Sequence, residues 1–134
     1  MTGAKDLSEF PLHLGLGATA ESQPAFTGEM SWYEDYGKRH EGDGAEGRLV
    51  ALHSFSESWS MWEMHPLGSE VVLCTDGAIT LIQELADGTH KSIHLAAGQY
   101  AINDPGIWHT ADVDATATLL FFTAGLATQH RPRR

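Results

Sequence analysis

From Arg48 onward, apolar residues recur at alternate positions in short runs, each ended by turn chemistry. The runs are RLVALHSF (48–55), WSMWEMH (59–65), EVVLCT (70–75), AITLIQEL (78–85), HKSIHL (90–95), QYAIN (99–103), WHTADV (108–113) and ATLLFFT (117–123). Period-two alternation rich in β-branched and aromatic residues predicts strands. The separators are Pro66 to Ser69, Asp76-Gly77, Ala86-Asp87-Gly88, Ala97-Gly98 and Asp104-Pro105-Gly106. Asp-Gly between alternating runs predicts a hairpin at Asp76-Gly77, because both central turn positions need positive φ. No segment after Arg48 keeps a 3.6-residue period over helical length. Many short strands at close spacing predict an antiparallel sandwich or barrel, which removes or shortens exposed edges.

Upstream the pattern is weaker. Residues 1–27 are irregular, with Pro11 and Pro24, and FPLHLGL is expected to pack onto the body as an arm. GEMSWYEDYG (28–37) predicts a first strand, and the charged, Gly-rich KRHEGDGAEG (38–47) a long mobile loop. The expected organisation is an arm over 1–27 and one barrel domain over 28–134.

Length and composition narrow the class. A chain of 134 residues can bury one core without disulfides. Eight basic against eighteen acidic residues give a net charge of −10, which opposes binding to nucleic acid or an anionic membrane. The basic tail RPRR (131–134) reads as a frayed, solvated terminus. The single cysteine, Cys74, excludes an internal disulfide and a Cys-based zinc site, and its apolar flanks predict a core position. The start lacks the apolar run of a signal peptide, and no stretch approaches the roughly 20 apolar residues of a membrane span. A cytoplasmic protein is expected.

The chemistry gathers in WSMWEMHPLGSE. Residues two apart share a strand face, so Glu63 and His65 point together while Trp62 and Met64 point the other way. Burying Glu63 and His65 is costly unless they have partners. A closed barrel resolves the conflict, with a polar site inside and an apolar outer face under the arm or a second subunit. Glu70 follows the turn PLGS, and His109 follows the turn in NDPGIWHT. Imidazoles and carboxylates together suit a first-row metal ion. The competing reading is structural, since a histidine beside a turn is more often hydrogen-bonded than ligating. Trp59 and Met61 share Glu63's face and are candidates for the cavity wall, as are Tyr100 and Asn103. Trp62, Met64 and Trp108 are expected to pack, and His13, His40, His53, His90, His94 and His130 to be surface or structural.

These two stretches resemble the two motifs of the cupin family. The first motif is a His-x-His pair, a Glu after three or four residues and a Gly after six more; His65, Glu70 and Gly77 match it. The second is Gly, five residues, Pro-x-Gly, two residues, His, three residues, Asn; Gly98, Gly106 and His109 match it. Glu63 stands where the family has its first His, Asp104 takes the motif's Pro position, and Val113 replaces the final Asn. The resemblance covers roughly residues 48–124. It implies an all-β, double-stranded β-helix (jelly-roll) barrel, commonly a homodimer. It also implies a divalent ion (Fe, Mn, Zn or Ni) held by His65, Glu70, His109 and Glu63, with Glu63 either a ligand, an orienting acceptor for His65 or a general base.

Such barrels serve many activities, so the fold does not choose among them. The first expectation is a metal-dependent enzyme of oxygenase or isomerase type acting on a small organic molecule. The alternative is a non-catalytic module that binds or senses a small ligand, with or without metal. A third is a metal-free barrel whose role is association.

Overall fold

The structure is a computed structural model that describes residues 3–133. In chain order the elements are β1 (Leu12–Gly15), β2 (Thr19–Ser22), α1 (Met30–His40), a 3-10 segment (Glu41–Glu46), β3 (Arg48–Phe55), β4 (Met61–Met64) and β5 (Glu70–Glu84). Then follow β6 (His90–Ala96), β7 (Tyr100–Asn103), β8 (His109–Asp112), β9 (Ala117–Thr123) and β10 (Gln129–Pro132). All the strand pairs are antiparallel.

Two sheets face each other, and β5 belongs to both. Its first half pairs with β9 and β7, in the sheet that continues through β3 and β1 to β2. Its second half pairs with β6 and β8, in the sheet that continues through β4 to β10. Between the sheets Val72, Cys74, Ile79, Leu81, Leu95, Ala111 and Leu119 form the core. These are the inward positions of the predicted alternation. The expected all-β jelly-roll barrel is the fold that forms.

The hairpin expected at Asp76-Gly77 is absent: β5 runs straight through it. A register shift against β9 falls between Cys74 and Asp76, and Gly77 takes φ +73° at the point where the strand changes sheets. A Cβ there would stand 2.1 Å from the Thr116 carbonyl oxygen. Glycine is required for a bulge and a close approach, and not for a two-residue turn.

Three other local expectations fail for tertiary reasons. The predicted strand at 28–37 is the helix α1, whose aromatic residues satisfy a different surface. Trp32 is buried and its indole N–H donates to the Pro24 carbonyl at 3.3 Å, while Tyr36 stacks on Trp32 one turn later. Lys38, Arg39 and His40 suit the helix C-terminus, where positive charge meets the dipole. The mobile loop expected over 38–47 is the end of that helix and the 3-10 segment. The tail is not frayed as far as Arg133. β10 pairs with β4, and the Arg131 guanidinium lies over the Trp62 and Trp108 rings and pairs with Glu84, while Arg133 donates to Asp112 at 2.8 Å. The outer apolar face of β4 is thus covered by the chain's own end; Arg134 lies outside the described residues.

The segment expected as an arm supplies β1 and β2, which extend the first sheet beyond β3. Residues 1 and 2 of that segment lie outside the described residues. Among the described residues, no helix is long and apolar enough to cross a membrane.

Candidate metal centre

Strands β4 and β8 place the first two polar groups together. Glu63 and His109 are directly opposed in the antiparallel ladder, so their side chains leave the same face side by side. His65 follows two residues after Glu63, on the same face, just beyond the end of β4. Glu70 opens β5 opposite Asn103 of β7. His65, Glu70 and His109 are all at least 96% buried, whereas Glu63 is partly open to the cavity above them.

The donor atoms of Glu63, His65 and His109 lie within 4.8 Å of one another. His65 Nε2 is 3.2 Å from one Glu70 oxygen and 3.8 Å from a Glu63 oxygen, and His109 Nε2 is 3.1 Å from the other Glu70 oxygen. These Glu70 approaches fall within hydrogen-bond range but not within hydrogen-bond direction. Both Nε2 atoms are buried and lack a hydrogen-bond partner.

The outer nitrogens are fixed. His109 Nδ1 donates to the Ile107 carbonyl at 3.2 Å. His65 Nδ1 donates to the Thr128 hydroxyl at 2.8 Å, which in turn donates to the Gly125 carbonyl at 2.8 Å. In the neutral rings this leaves Nε2 bare on both, with its lone pair turned toward the carboxylates. Glu70 is held from behind, one oxygen by the Asn103 amide at 3.1 Å and the other by the Thr123 hydroxyl at 2.7 Å. Gln83 in turn donates to Asn103 at 2.8 Å. This outer layer orients His65, His109 and Glu70 in the way second-layer hydrogen bonds orient metal ligands, and leaves Glu63 unheld.

Charge follows the same arrangement. Burial pushes the Glu70 carboxyl up, but His109 and His65 together carry it well below the ordinary carboxylate range. Burial pushes His109 down, and the Glu70 carboxylate beside it more than reverses this. The Glu63 carboxylate raises His130, whose Nε2 lies 3.6 Å from the Glu63 oxygen. Two carboxylates and two bare imidazole nitrogens are the donor set of a divalent cation. Ligands about 2.1 Å from one ion stand roughly 3.0–3.4 Å apart, close to the 3.1 and 3.2 Å of the two Glu70 approaches, while Glu63 stands 3.8 Å from His65. The residues fit such an ion.

Above this floor a cavity of about 870 Å³ opens. Trp59 and Met61 line it, as their shared face with Glu63 predicts, and Trp59 is T-shaped to His109 at 6.4 Å. Tyr100 does not: it is exposed on β7. Asn103 lies behind Glu70 and not on the wall. Trp62 and Trp108 pack as expected, around Arg131.

Sequence reasoning missed the opposite wall. α1 lays Tyr33, Tyr36 and His40 along the cavity, a face that exists only because the segment is helical. Tyr33 is pushed up to about 12 by burial and by the Glu63 and Glu70 carboxylates, so its hydroxyl keeps its proton. His53, on β3, borders the cavity beside Phe26 and Phe121, and burial lowers its pKa. For His53, a position two residues from Phe55 on one strand face was the available signal.

No protein-family model and no curated protein sequence matches the chain. Solved structures do match its fold. A structure of a point mutant of Bacillus subtilis oxalate decarboxylase is 13% identical, covers 72% of this chain and 26% of its own, and has a TM-score of 0.54. Oxalate oxidase in complex with the substrate analogue glycolate is 12% identical, covers 61% and 45%, and has a TM-score of 0.53. This chain therefore spans less than half the length of either matched protein. The likeness is one of fold, which the order of strands and the shared long strand already describe: the chain has the cupin fold.

Proposed function

We propose that the chain binds a divalent metal ion through His65, His109, Glu63 and Glu70, and that it is an enzyme acting on a small organic molecule, of oxygenase or isomerase type. One observation carries the reading: two buried imidazoles, each locked by its outer nitrogen, turn unpartnered Nε2 atoms toward two carboxylates. A buried polar atom with no partner costs about 1–3 kcal/mol, and an ion at this point removes that cost twice.

Such an ion, when bound, polarises a carbonyl or carboxylate oxygen or activates water. The chain supplies the rest. Glu70, gripped by Asn103 and Thr123, is fixed, whereas Glu63 is partly open and faces His130 at 3.6 Å, beyond hydrogen-bond distance. Glu63 is therefore the ligand carboxylate whose second oxygen is placed to accept a proton from a molecule in the cavity and return it. Tyr33 offers a hydroxyl that remains a donor. Trp59, Phe55 and Phe121 form an aromatic wall that keeps water from the ligand's apolar part.

The size of the cavity bears on the substrate. A two-carbon dicarboxylate such as the oxalate named for the structural neighbours needs a small part of about 870 Å³. Cavities of that size suit drug-sized molecules. The substrate proposed here has an oxygen-bearing head at the floor and a larger apolar body against the aromatic wall. A homodimer in the cytoplasm remains the working expectation for the assembly.

The test is stability with and without ion. Chelation should lower the melting temperature, and Mn(II), Fe(II), Zn(II) or Ni(II) should restore it, since an ion bound only by the native state stabilises that state. An unchanged melting temperature in all conditions rejects the metal. Turnover of carbonyl or carboxylate substrates by the loaded protein then separates an enzyme from a ligand-binding module.

A further inference from the structure

Outside the metal centre the most developed polar cluster joins three segments: β1, α1 and the 3-10 segment. His13 is 1% exposed, yet each of its nitrogens has a short partner. Nε2 lies 2.6 Å from the Asp43 carboxylate and Nδ1 2.6 Å from the Tyr36 hydroxyl. A carboxylate only accepts, so Nε2 carries the hydrogen and Nδ1 accepts from Tyr36. Asp43 is held below its ordinary value by the hydrogen bond from His13, and burial followed by the charge of Asp43 raises Tyr36. The hydrogen bonds run in series from the Tyr36 phenol through the His13 imidazole to the Asp43 carboxylate.

The cluster is built with little slack. A Cβ on Gly15 would stand 2.8 Å from the Asp43 Oδ2, and one on Gly47 would stand 2.9 Å from His13 Cε1. Gly47 has φ −68°, so its glycine supplies room and not conformational freedom. His40 stacks on His13 at 3.7 Å with only 18° between the rings. Stacked rings send their in-plane lone pairs along parallel planes, a poor arrangement for a shared ion. With both His13 nitrogens already engaged, the group reads as a hydrogen-bonded relay and not as a second metal site. Tyr36, His13 and His40 border the cavity whose floor is the metal centre.

We propose that Tyr36 is a proton-transferring group of this cavity, with His13 and Asp43 as the residues that position and assist it. The logic is that of a hydroxyl, a base and an orienting carboxylate in series. The Tyr36 oxygen takes a proton from a carbon next to the ligand's carbonyl as its own proton passes to His13 Nδ1, and Asp43 balances the imidazolium. The transfer is concerted, because burial and the Asp43 charge oppose a free phenolate. With a β,γ-unsaturated carbonyl ligand the enolate is a dienolate. Tyr36 gives the proton to its γ-carbon as His13 hands its own back to Tyr36, which shifts the double bond into conjugation with no oxidant or reductant. The proposal deepens the ligand cavity assigned above, but its test does not depend on the ion.

N-acetylimidazole reads the relay directly on the whole protein. Tyr36 oxygen attacks the acetyl carbon, its proton passes to His13, and imidazole leaves with a proton; the product is an acetylated tyrosine. Peptide mass spectrometry would follow Tyr36, Tyr33 and Tyr100 with and without chelator. Assisted Tyr36 should be acetylated faster than Tyr100, although Tyr100 is the 63% exposed residue. Asp43→Asn and His13→Gln should each slow Tyr36 at least tenfold and leave Tyr33 and Tyr100 unchanged. A contact that merely fastened the helix would give the opposite sign, because cutting it would free Tyr36 and Tyr33 and speed both. Tyr36 slower than Tyr100 in the unaltered protein overturns the proposal without any variant, as does an unchanged or faster rate in the two variants. Loss of the metal reading would leave this labelling pattern intact, so the two failures are distinguishable.

Discussion

Replacing Gly77 by alanine tests how one strand can serve two sheets. Two costs are expected, and a second glycine separates them. Gly77 and Gly88 have similar backbone conformations, φ +73° and +85°, and a Cβ at Gly88 meets nothing within 4 Å. Gly88→Ala therefore carries only the left-handed conformation, about 1–2 kcal/mol. Gly77→Ala carries that and a Cβ 2.1 Å from the Thr116 carbonyl oxygen, with the Ala117 Cα 3.0 Å away. Backbone atoms cannot step aside as a side chain can, so the Gly77–Ala117 pairing must break or the bulge must move. Loss of that order is worth about 3–5 kcal/mol in all. With a urea slope of about 1.5 kcal/mol/M, the unfolding midpoint should fall by roughly 1 M for Gly88→Ala and by roughly 2–3 M for Gly77→Ala. Gly77→Asn sharpens the test. Asn tolerates positive φ and is favoured in two-residue hairpins, so at a true hairpin it would be mild; at this bulge it should cost as much as alanine. Equal midpoints for Gly77→Ala and Gly88→Ala, or a mild Gly77→Asn, would refute the close-approach argument.

Other outcomes follow from the same structure. Thr128→Val removes the acceptor that locks His65 Nδ1 and should weaken metal affinity by about 10–100-fold, measured by competition with a chromogenic chelator, with little change in melting temperature once the ion is removed. His53 is lowered by burial, against a smaller opposing pull from Glu63. As pH falls below about 6.5, the unfolded chain takes up a proton that the folded one refuses, so stability is lost on acidification; His53→Leu should flatten the melting-temperature curve between pH 7.5 and 5.5, and an unaltered slope counts against it. Arg131→Ala removes two cation–π contacts and the pairing with Glu84 and should cost about 1–2 kcal/mol by urea unfolding; a frayed tail would cost nothing.

The barrel was legible because its strands alternate cleanly. RLVALHSF and ATLLFFT predict β3 and β9 at the ends they take; β9 alternates buried and half-buried positions, and β3 keeps its apolar run although Leu49, Val50 and Ala51 are buried in succession. The floor of the site was legible for a related reason: Glu63 and His65 break an apolar run at one face and share it with His109 and Glu70. What stayed hidden depends on contacts distant in sequence. Asp76-Gly77 has the composition of a turn, and only the Thr116 carbonyl on another strand shows that glycine is there for room. SWYEDYG has strand composition, but Trp32 and Tyr36 find partners only when the segment coils against the barrel mouth. That error hid a whole cavity wall, because Tyr33 and Tyr36 share a face in a helix and not in a strand. His13 and Asp43, thirty residues apart, carry no joint pattern at all. The tail RPRR looked like solvent-exposed charge, yet Arg131 closes over two tryptophans that lie far upstream.

The central claim is that Glu63, His65, Glu70 and His109 form one ion site. Elemental analysis by mass spectrometry, on protein purified without chelator or metal-affinity resin, tests it most directly beside the His109→Ala variant. The account predicts about one Fe, Mn, Zn or Ni per chain in the unaltered protein and its loss in His109→Ala, with the variant still folded. No metal in either, and none taken up on reconstitution, would contradict it.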